Sequence, residues 1–185
     1  YTDYKFLLVA VRSQSAGWYG NNILVRRSFE TANVQTQKLP SLEPRGAVAV
    51  DIESARDTKP ACSFRFICVH LAVMTHWRRK QIRHIAASML SRMPGAFTVI
   101  AGDFNEARSN PDFYNEVLAG TSTIIEPGYS FHSKWPRFAF DKFIMNGDHF
   151  TIRRSGIIHS SVARKASDHL PVWVDIEIPD NAQTI

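Results

Sequence analysis

The sequence predicts an α/β fold in which strands joined by a helix deliver polar side chains to one edge of a sheet. Residues 64–71 and 98–101 are apolar enough to be buried strands, and the clearest amphipathic helix of the chain lies between them. A strand, a helix and a strand in this order are typical of a crossover within one sheet. The second strand stops at Gly102-Asp103-Phe104-Asn105, where the polar residues begin.

Length and composition are those of one ordinary globular domain. The chain has 185 residues, 44% of them hydrophobic, which is enough to bury a core. No internal repeat is visible, and no apolar run is long enough to predict a transmembrane segment. The formal net charge of +5 favours an anionic partner such as nucleic acid, a phosphorylated small molecule or a lipid headgroup surface, without choosing among them.

The cysteines and the first residues of the chain bear on the cellular compartment of the protein. Cys62 and Cys68 lie in a segment predicted to be extended, about 20 Å apart at ~3.3 Å per residue, which is too far for a disulfide. Reduced thiols favour the cytoplasm. The chain begins with Tyr1 rather than Met and enters a strand almost at once, so we expect an N-terminal part to have been removed. The presence of a signal peptide upstream therefore stays open.

The helix between the two strands has an apolar face and a basic face. Its apolar side chains recur at helical spacing: Ile82, Ile85, Ala86, Met89, Leu90 and Met93. Thr75 is the expected cap and Pro94-Gly95 the expected stop. The opposite face carries four cations: Arg78, Arg79, Lys80 and Arg83. They suit a phosphate backbone or an anionic membrane, but a solvated helix face is the favoured interpretation.

Further elements are expected on either side of this unit. Strands are predicted at 5–11, 23–26 and 47–52, separated by a loop at 13–22 and by a polar connection containing Pro40, Pro44 and Gly46. Glu30 is expected to lie in a loop. A second helix is predicted at 111–119, with Asn110 as cap and Gly120 as end, so residues 106–110 should overhang the Asp103 strand end.

Polar side chains stand at the ends of the two buried strands. Asp103 and Asn105 follow Gly102, which permits a turn and a close approach, and an extended chain would point both side chains the same way. An aspartate there can ligate a hard cation or take a proton from water. His70 ends the preceding strand in the equivalent position. Taken singly, the tetrad is most often a turn and His70 most often a core residue.

Two further polar positions come later in the chain. Asp141 lies within the apolar run 138–145, where a carboxylate is costly unless it has a partner. Its neighbour Lys142 faces the other way on a strand, so Asp141 either caps a local structure or orients a histidine. Asp168 and His169 come directly before the last predicted strand, 172–178, and supply that histidine. Because so many polar residues at strand ends are hard to explain by folding alone, the sequence predicts a site.

In their order along the chain, these pieces resemble the endonuclease/exonuclease/phosphatase family, the superfamily of deoxyribonuclease I, abasic-site endonucleases, neutral sphingomyelinases and inositol-polyphosphate phosphatases. The matching pieces are the strand end at His70, Gly102-Asp103-Phe104-Asn105, Phe140-Asp141-Lys142-Phe143 and Ser167-Asp168-His169-Leu170-Pro171. Pro44-Arg45-Gly46 is similar to the small bacterial members. The resemblance implies a four-layer α/β/β/α sandwich, here as a single domain over 1–185 that is N-terminally incomplete and lacks its first strands.

The resemblance also implies a role for each site residue. Asp103 would position or deprotonate the attacking water, and Asn105 would hold that water or a phosphate oxygen. His169 would bind the scissile phosphate, with Asp141 keeping its ring oriented and protonated. His70 would contact the same phosphate or assist the leaving oxygen.

The resemblance implies a divalent metal, Mg2+ or Mn2+, with Asp168 beside it and Asp103 as a second contact. Family members carry their principal metal ligand, a glutamate, at the end of an early strand. No glutamate in residues 1–30 has that context, so the principal Glu ligand is expected not to be in this chain. We therefore predict weak Mg2+ binding and little or no activity for this chain, and a phosphodiesterase for the full-length parent.

Several interpretations of function stay open. The leading one is a metal-dependent phosphodiesterase whose substrate is nucleic acid or a phospholipid headgroup. The alternatives are a phosphomonoesterase acting on a sugar or inositol phosphate, and a catalytically inactive phosphate-binding module. Aromatic residues that could stack on bases are Trp18, Tyr19, Tyr129, Phe131 and Trp135, although loop packing is the favoured role. A sheet edge left exposed by missing strands is expected to permit self-association.

Overall fold

The structure, a computed structural model, describes residues 4–8, 20–54, 63–90, 97–108, 111–118, 122–147 and 150–178. Its strands are β1 (Tyr4–Leu8), β2 (Asn22–Arg26), β3 (Phe29–Leu39), β4 (Arg45–Ser54), β5 (Ser63–His70), β6 (Phe97–Asp103), β7 (Ser122–Ile125), β8 (Asp141–Asn146), β9 (Thr151–Ile157) and β10 (Val172–Glu177). Its helices are α1 (Thr75–Ser88), α2 (Pro111–Val117) and α3 (Ser161–Ala166).

The largest sheet in the described part of the chain has six strands, in the order β3-β4-β5-β6-β8-β7. β5 and β6 are parallel and are joined through α1, whereas the other neighbours in the sheet pair antiparallel. The crossover predicted from the strand-helix-strand pattern is therefore confirmed. The two remaining strand pairs, β1 with β2 and β9 with β10, are also antiparallel.

Each face of the six-stranded sheet is covered by a different layer. One face packs against α1 and α2 through a cluster that includes Ile67, Ile82, Ile85, Ile100 and Leu118. This packing follows from the helical spacing of the apolar residues of α1, which places them on one side. The helices therefore form one outer layer of the molecule.

The other face of the sheet is covered by the two strand pairs. Ile23 and Val25 of β2 pack on Val48 and Val50 of β4. Val174 of β10, with other residues of β9 and β10, packs near the β6 end of the same face. The described residues thus build a helical layer, the main sheet and a second layer of strands. The mixed α/β fold predicted from the sequence is confirmed.

The expected polar connection before Pro40 is wrong, because residues 29–39 form β3. β3 lies at an edge of the sheet and exposes much of its length, so it lacks the apolar run by which buried strands are recognised. Glu30 lies in this strand rather than in a loop, opposite Glu53. Glu53 is about 26 Å along β4 from Arg45, at ~3.3 Å per residue, and Arg45 is the end of β4 that lies beside His70. Glu30 is therefore remote from the strand end at His70. The elements β7, β9 and α3 were not predicted either.

The predicted cap and basic face of the first helix also need correction. Met74 is the N-cap of α1, and Thr75 instead accepts a hydrogen bond from Arg78 at 2.8 Å. Arg78 is buried and ion-paired with Glu106 at 2.5 Å, so it does not belong to a solvated face. Two other predicted surface cations, Arg79 and Arg83, lie over the ring of Phe113. Part of the basic face of α1 therefore contacts other side chains of the fold.

Some sequence predictions fall on residues outside the described ranges. They concern Trp18, Tyr19, Cys62, Met93, Pro94-Gly95, Asn110 and Gly120. Cys68 is a free thiol whose pKa burial raises to about 11. Among the described residues, no helix is both long and apolar enough to cross a membrane. β1 pairs with β2 on one side, and self-association through its other edge stays a prediction.

Gly102 sits where only glycine fits. Its φ is +138°, and a Cβ atom added there would lie 2.0 Å from the carbonyl oxygen of Val69 on the neighbouring strand. Gly128 has the same φ of +138°, but its added Cβ would meet the flexible end of the Ile157 side chain, at 2.9 Å. The close backbone approach expected at Gly102 is therefore present. It brings β6 against β5 at the pair that precedes His70 and Asp103.

We expect Gly102→Ala to destabilise the fold more than Gly128→Ala. Both substitutions carry the backbone strain of about 1–3 kcal/mol, but only Gly102→Ala drives a methyl group into backbone that cannot rotate away. The measurement is the free energy of unfolding from urea titrations of the two variants and the parent. Equal losses in the two variants would contradict the close approach as the cause.

Candidate functional site

Three adjacent strands of the main sheet present polar residues side by side. His70 at the end of β5 pairs in register with Asp103 at the end of β6. Asp103 in turn pairs with Asp141 at the start of antiparallel β8. Because the strands are adjacent and in register, residues about seventy positions apart in sequence meet at one edge of the sheet. We call this edge the rim.

His169 is held at the rim by Asp141. Its Nδ1 lies 2.7 Å from Oδ2 of Asp141, and its Nε2 lies 3.7 Å from Oδ2 of Asp103. The hydrogen bond to Asp141 raises the pKa of His169 above its usual range, despite the opposing effect of burial. The imidazolium therefore persists to higher pH than that of a free histidine. Of the two sequence-based interpretations of Asp141, a local cap or a residue that orients a histidine, this geometry agrees with the second.

His70 and Asp103 have the opposite character. Nε2 of His70 lies 3.4 Å from Oδ2 of Asp103. Burial and then the positive charge of Arg45 lower the pKa of His70, so this ring favours its neutral form. Burial raises the pKa of Asp103, although the backbone N–H of Asn105 and the two histidines oppose that shift. The rim thus combines an imidazole whose pKa is raised, an imidazole whose pKa is lowered and a carboxyl group whose pKa is raised.

Asn105 is placed by a turn rather than by an extended chain. β6 ends at Asp103, and Asn105 has a φ of +49°, so the assumption that both side chains follow one strand face is wrong. Its backbone N–H donates to Oδ1 of Asp103 at 2.8 Å, and its Nδ2 donates to the carbonyl of Leu71 at 2.9 Å. Asn105 therefore ties the loop after β6 to the loop after β5.

Two buried side chains of α1 hold the same loops from behind. Gln81 accepts a hydrogen bond from the N–H of Ala72 at 2.8 Å and donates to the carbonyl of Pro40 at 3.0 Å. Arg78 donates to the carbonyl of Val73 and pairs with Glu106, just beyond Asn105. The overhang expected for residues 106–110 stays a prediction, and Glu106 is fastened to α1 by this ion pair.

Two residues at the rim were not among the predicted site residues. Ser130 is fully buried and donates from its hydroxyl to the same Asp141 oxygen that faces His169. Arg45 starts β4 beside the end of β5, is 13% exposed, and its Nε has no hydrogen-bond partner in the described structure. The sequence carried a signal for Arg45 in Pro44-Arg45-Gly46, whereas Ser130 stands in an irregular aromatic loop without any pattern.

The described residues do not by themselves fit a divalent cation. Mg2+ and Mn2+ prefer several oxygen ligands, with carboxylates among them. Oδ1 of Asp103 accepts from Asn105, and Oδ2 faces two imidazoles. Asp168 is exposed and lies beside Ser167. Within the described ranges, no group of three His, Cys, Asp or Glu side chains is arranged to hold a metal ion.

Replacing Asp141 should lower the pKa of His169. In Asp141→Asn the hydrogen-bonding carboxylate is lost, so we expect the pKa to fall toward the usual value of about 6.5. The folded-state pKa lies above the unfolded one, so stabilisation by this pair is present below about pH 6.5 and is lost as pH rises through the folded pKa. NMR titration of the ring measures the shift, and Asp175→Asn on β10 is the control. An unchanged His169 pKa would contradict the pairing.

Removing the charge of Arg45 should raise the pKa of His70. We expect the pKa of His70 to rise in Arg45→Met, because the cation no longer disfavours a second positive charge. The same ring titration measures this change. Arg153→Met, whose parent side chain pairs with Glu177 on β10, should leave His70 unchanged. A His70 pKa that does not move in Arg45→Met would place the guanidinium away from the rim.

Curated relatives match most of the chain at low identity. The chain is 23% identical to the "Uncharacterized protein YbhP" of Escherichia coli (strain K12) over 167 residues, which are 88% of this chain and 64% of that protein. The chain therefore spans 64% of the length of the curated relatives that it matches.

Solved structures share the fold at low sequence identity. The mannosyl-6-phosphatase of Bacteroides thetaiotaomicron matches with a TM-score of 0.74 and 18% identity, over 96% of this chain and 78% of that one. The human Nocturnin catalytic domain with bound sulfate matches with a TM-score of 0.76 and 15% identity, over 96% of this chain and 73% of that one. TDP2 of D. rerio, complexed with single strand DNA product, matches with a TM-score of 0.72 and 16% identity, over 95% of this chain and 77% of that one. The family model of the Endonuclease/Exonuclease/phosphatase family matches residues 2–169, and the chain belongs to this family.

Proposed function

We propose that the rim binds the phosphate of a phosphoric ester and that the protein is a phosphoesterase, a single domain over residues 1–185. The observation that carries the proposal is the pair of His169 and Asp141, which raises the pKa of His169 and holds its Nε2 3.7 Å from Oδ2 of Asp103. A cationic donor and a basic carboxylate close together are what water attack on phosphorus requires. Arg45 adds a further positive charge near His70.

Each rim residue has a distinct role in this proposal. His169 donates to a phosphate oxygen and offsets the charge that the attack adds, and Asp141 and Ser130 keep its ring oriented. Asp103 takes the proton of the attacking water, for which its raised pKa is favourable. Neutral His70 contacts the phosphate or the leaving oxygen. Asn105 keeps the two loops at a constant separation through Leu71.

The metal requirement is part of the proposal and rests on family membership rather than on the described side chains. A bound Mg2+ or Mn2+ would supply charge stabilisation at phosphorus. Since Asp103 and Asp168 alone are a poor ligand set among the described residues, we retain the prediction of weak Mg2+ binding by this chain.

The substrate proposal is a phosphodiester in nucleic acid or in a phospholipid headgroup. It is supported by family membership, by the net charge of +5 and by the relation in fold to a TDP2 that holds a DNA product. A phosphomonoesterase is the second candidate, because the mannosyl-6-phosphatase has the same fold. A non-catalytic phosphate-binding module is the third, because the described residues lack a metal site.

Phosphate binding by the chain tests the proposal directly. We expect inorganic phosphate to bind at pH 6 and His169→Ala to weaken binding about 10-fold or more, as loss of a charge-assisted hydrogen bond does. Isothermal titration calorimetry measures the affinity. His159→Ala removes an exposed histidine just before α3 and is the matched control. Phosphate binding that is absent, or is unaffected by His169→Ala, would overturn the proposal.

Turnover separates the candidate functions. Hydrolysis of bis-p-nitrophenyl phosphate with Mg2+ or Mn2+ that disappears in His169→Ala supports a phosphodiesterase. Hydrolysis of p-nitrophenyl phosphate alone supports the phosphomonoesterase. Phosphate binding without either reaction, with metal present at millimolar concentration, supports the module and contradicts the enzyme in this chain.

A further inference from the structure

We propose that Gln81 of α1 is a positioning residue of the rim, which fixes the connection between β3 and β4, and with it Arg45, against the loop that follows His70. Gln81 is fully buried, and its side chain hydrogen-bonds to the backbone of both segments. The consequence for phosphate binding rests on the proposed function, whereas the positioning itself can be measured without any ligand.

The side-chain amide of Gln81 joins two segments that meet beside the rim. Its Oε1 accepts a hydrogen bond from the N–H of Ala72 at 2.8 Å, and its Nε2 donates to the carbonyl of Pro40 at 3.0 Å. Ala72 comes two residues after the end of β5. Pro40 directly follows Leu39, which pairs in register with Arg45 across the β3–β4 hairpin. We call this link between the end of the hairpin and the loop after β5 the amide bridge.

The amide bridge requires the residue type that is found there. The carbonyl of Pro40 can only accept a hydrogen bond and the N–H of Ala72 can only donate one, so the side chain between them must end in both a donor and an acceptor. An amide does, whereas a carboxylate lacks the donor and an apolar side chain lacks both. Because a buried polar group is costly unless it is hydrogen-bonded, Gln81 is favourable in this place only while both bonds are kept.

The loop after β5 is a fixed reference for the amide bridge. The N–H of Leu71 donates to the carbonyl of Asp103 at 2.9 Å, and its carbonyl accepts from Nδ2 of Asn105 at 2.9 Å. The carbonyl of Ala72 accepts from Nη1 of Arg78 at 3.4 Å. Consecutive backbone groups of this loop are thus bonded to residues at the end of β6 and on α1. The amide bridge extends that fixed position to the end of the β3–β4 hairpin.

Arg45 is the rim residue that depends on the amide bridge. Its Nη2 pairs with Glu43 at 2.6 Å, but Glu43 is 61% exposed, and an ion pair with such a partner is weak. Its Nε is buried and has no hydrogen-bond partner in the described structure. Few side-chain contacts therefore hold the guanidinium, and its place beside the end of β5 follows from the backbone of the hairpin end. Release of that backbone would let the charge move relative to the rim.

Hydrogen exchange of the Arg45 side chain tests the positioning without a ligand. We expect Gln81→Met to speed exchange of the Arg45 Nε–H about 10-fold or more, because the released hairpin end opens more often and exposes this buried group. NMR spectra of the arginine Nε–H groups measure the rate, and the signal missing from Arg45→Met identifies the residue. Ile85→Ala removes a fully buried apolar side chain of the same helix and is the control for lost stability.

A shorter amide gives a second reading of the same bridge. Gln81→Asn keeps the donor and the acceptor but lacks one methylene group, so it cannot reach both partners, and it should speed the exchange as Gln81→Met does. Circular dichroism checks that each variant folds. If Gln81→Met does not fold, Gln81→Asn decides the question.

Phosphate affinity connects the amide bridge with the proposed function. We expect Arg45→Met to weaken binding of inorganic phosphate at pH 6 about 10-fold, as loss of a nearby cation does. Gln81→Met should weaken it about 3-fold in the parent but not in Arg45→Met, because a residue that acts through Arg45 has no effect once that side chain is gone. Isothermal titration calorimetry measures the four affinities, and Ile85→Ala should bind phosphate like the parent.

The outcomes separate the amide bridge from the proposed function. Exchange of the Arg45 Nε–H that is unchanged in both Gln81 variants, or that rises equally in Ile85→Ala, overturns the positioning. An equal loss of phosphate affinity on Gln81→Met with and without Arg45 also overturns it, since the amide would then act through another residue. Failure of the parent to bind phosphate overturns the proposed function, while faster exchange in the Gln81 variants alone still supports the amide bridge.

Discussion

The in-register pairing of β5, β6 and β8 is the constraint on which the rest of the site depends. It places His70, Asp103 and Asp141 side by side, each supplied by a different part of the chain. A shift of one residue in either pairing would turn the polar side chains toward the opposite faces of the sheet. The close approach of Gly102 to the Val69 carbonyl excludes any side chain at the point where β5 and β6 meet, and so helps to keep this register.

The rim gains its electrostatic character from what surrounds it. A carboxylate that accepts its hydrogen bond raises the pKa of His169, whereas partial burial near the Arg45 guanidinium lowers the pKa of His70. The two rings therefore differ through their neighbours alone. Behind the rim, Arg78 and Gln81 satisfy backbone groups of the loop after β5, and Arg78 also pairs with the Glu106 side chain in the loop after β6, so polar side chains of α1 support both loops.

Much of this arrangement was predictable because buried strands and the helix between them have strong patterns. The crossover and the polar residues at its strand ends follow from apolar runs that stop at polar residues. The prediction failed for β3, whose polar and exposed residues are held in the sheet by pairing with β4. It failed for Arg78 as well, since a cation on a helix gives no sign of the glutamate that approaches it in the fold. Ser130 could not be found, because only the bridge between its loop and His169 brings it to Asp141.

The sequence by itself determined which residues are candidates for a site, because carboxylates and imidazoles placed in apolar strands are costly unless they have a use. It also determined the crossover of β5, α1 and β6. Only the tertiary structure decided which partner each residue has, that Asn105 turns out of the strand, and that Gln81 joins the β3–β4 hairpin to the loop after β5. Those features depend on strand register and on contacts between distant loops, which no local pattern in the chain encodes.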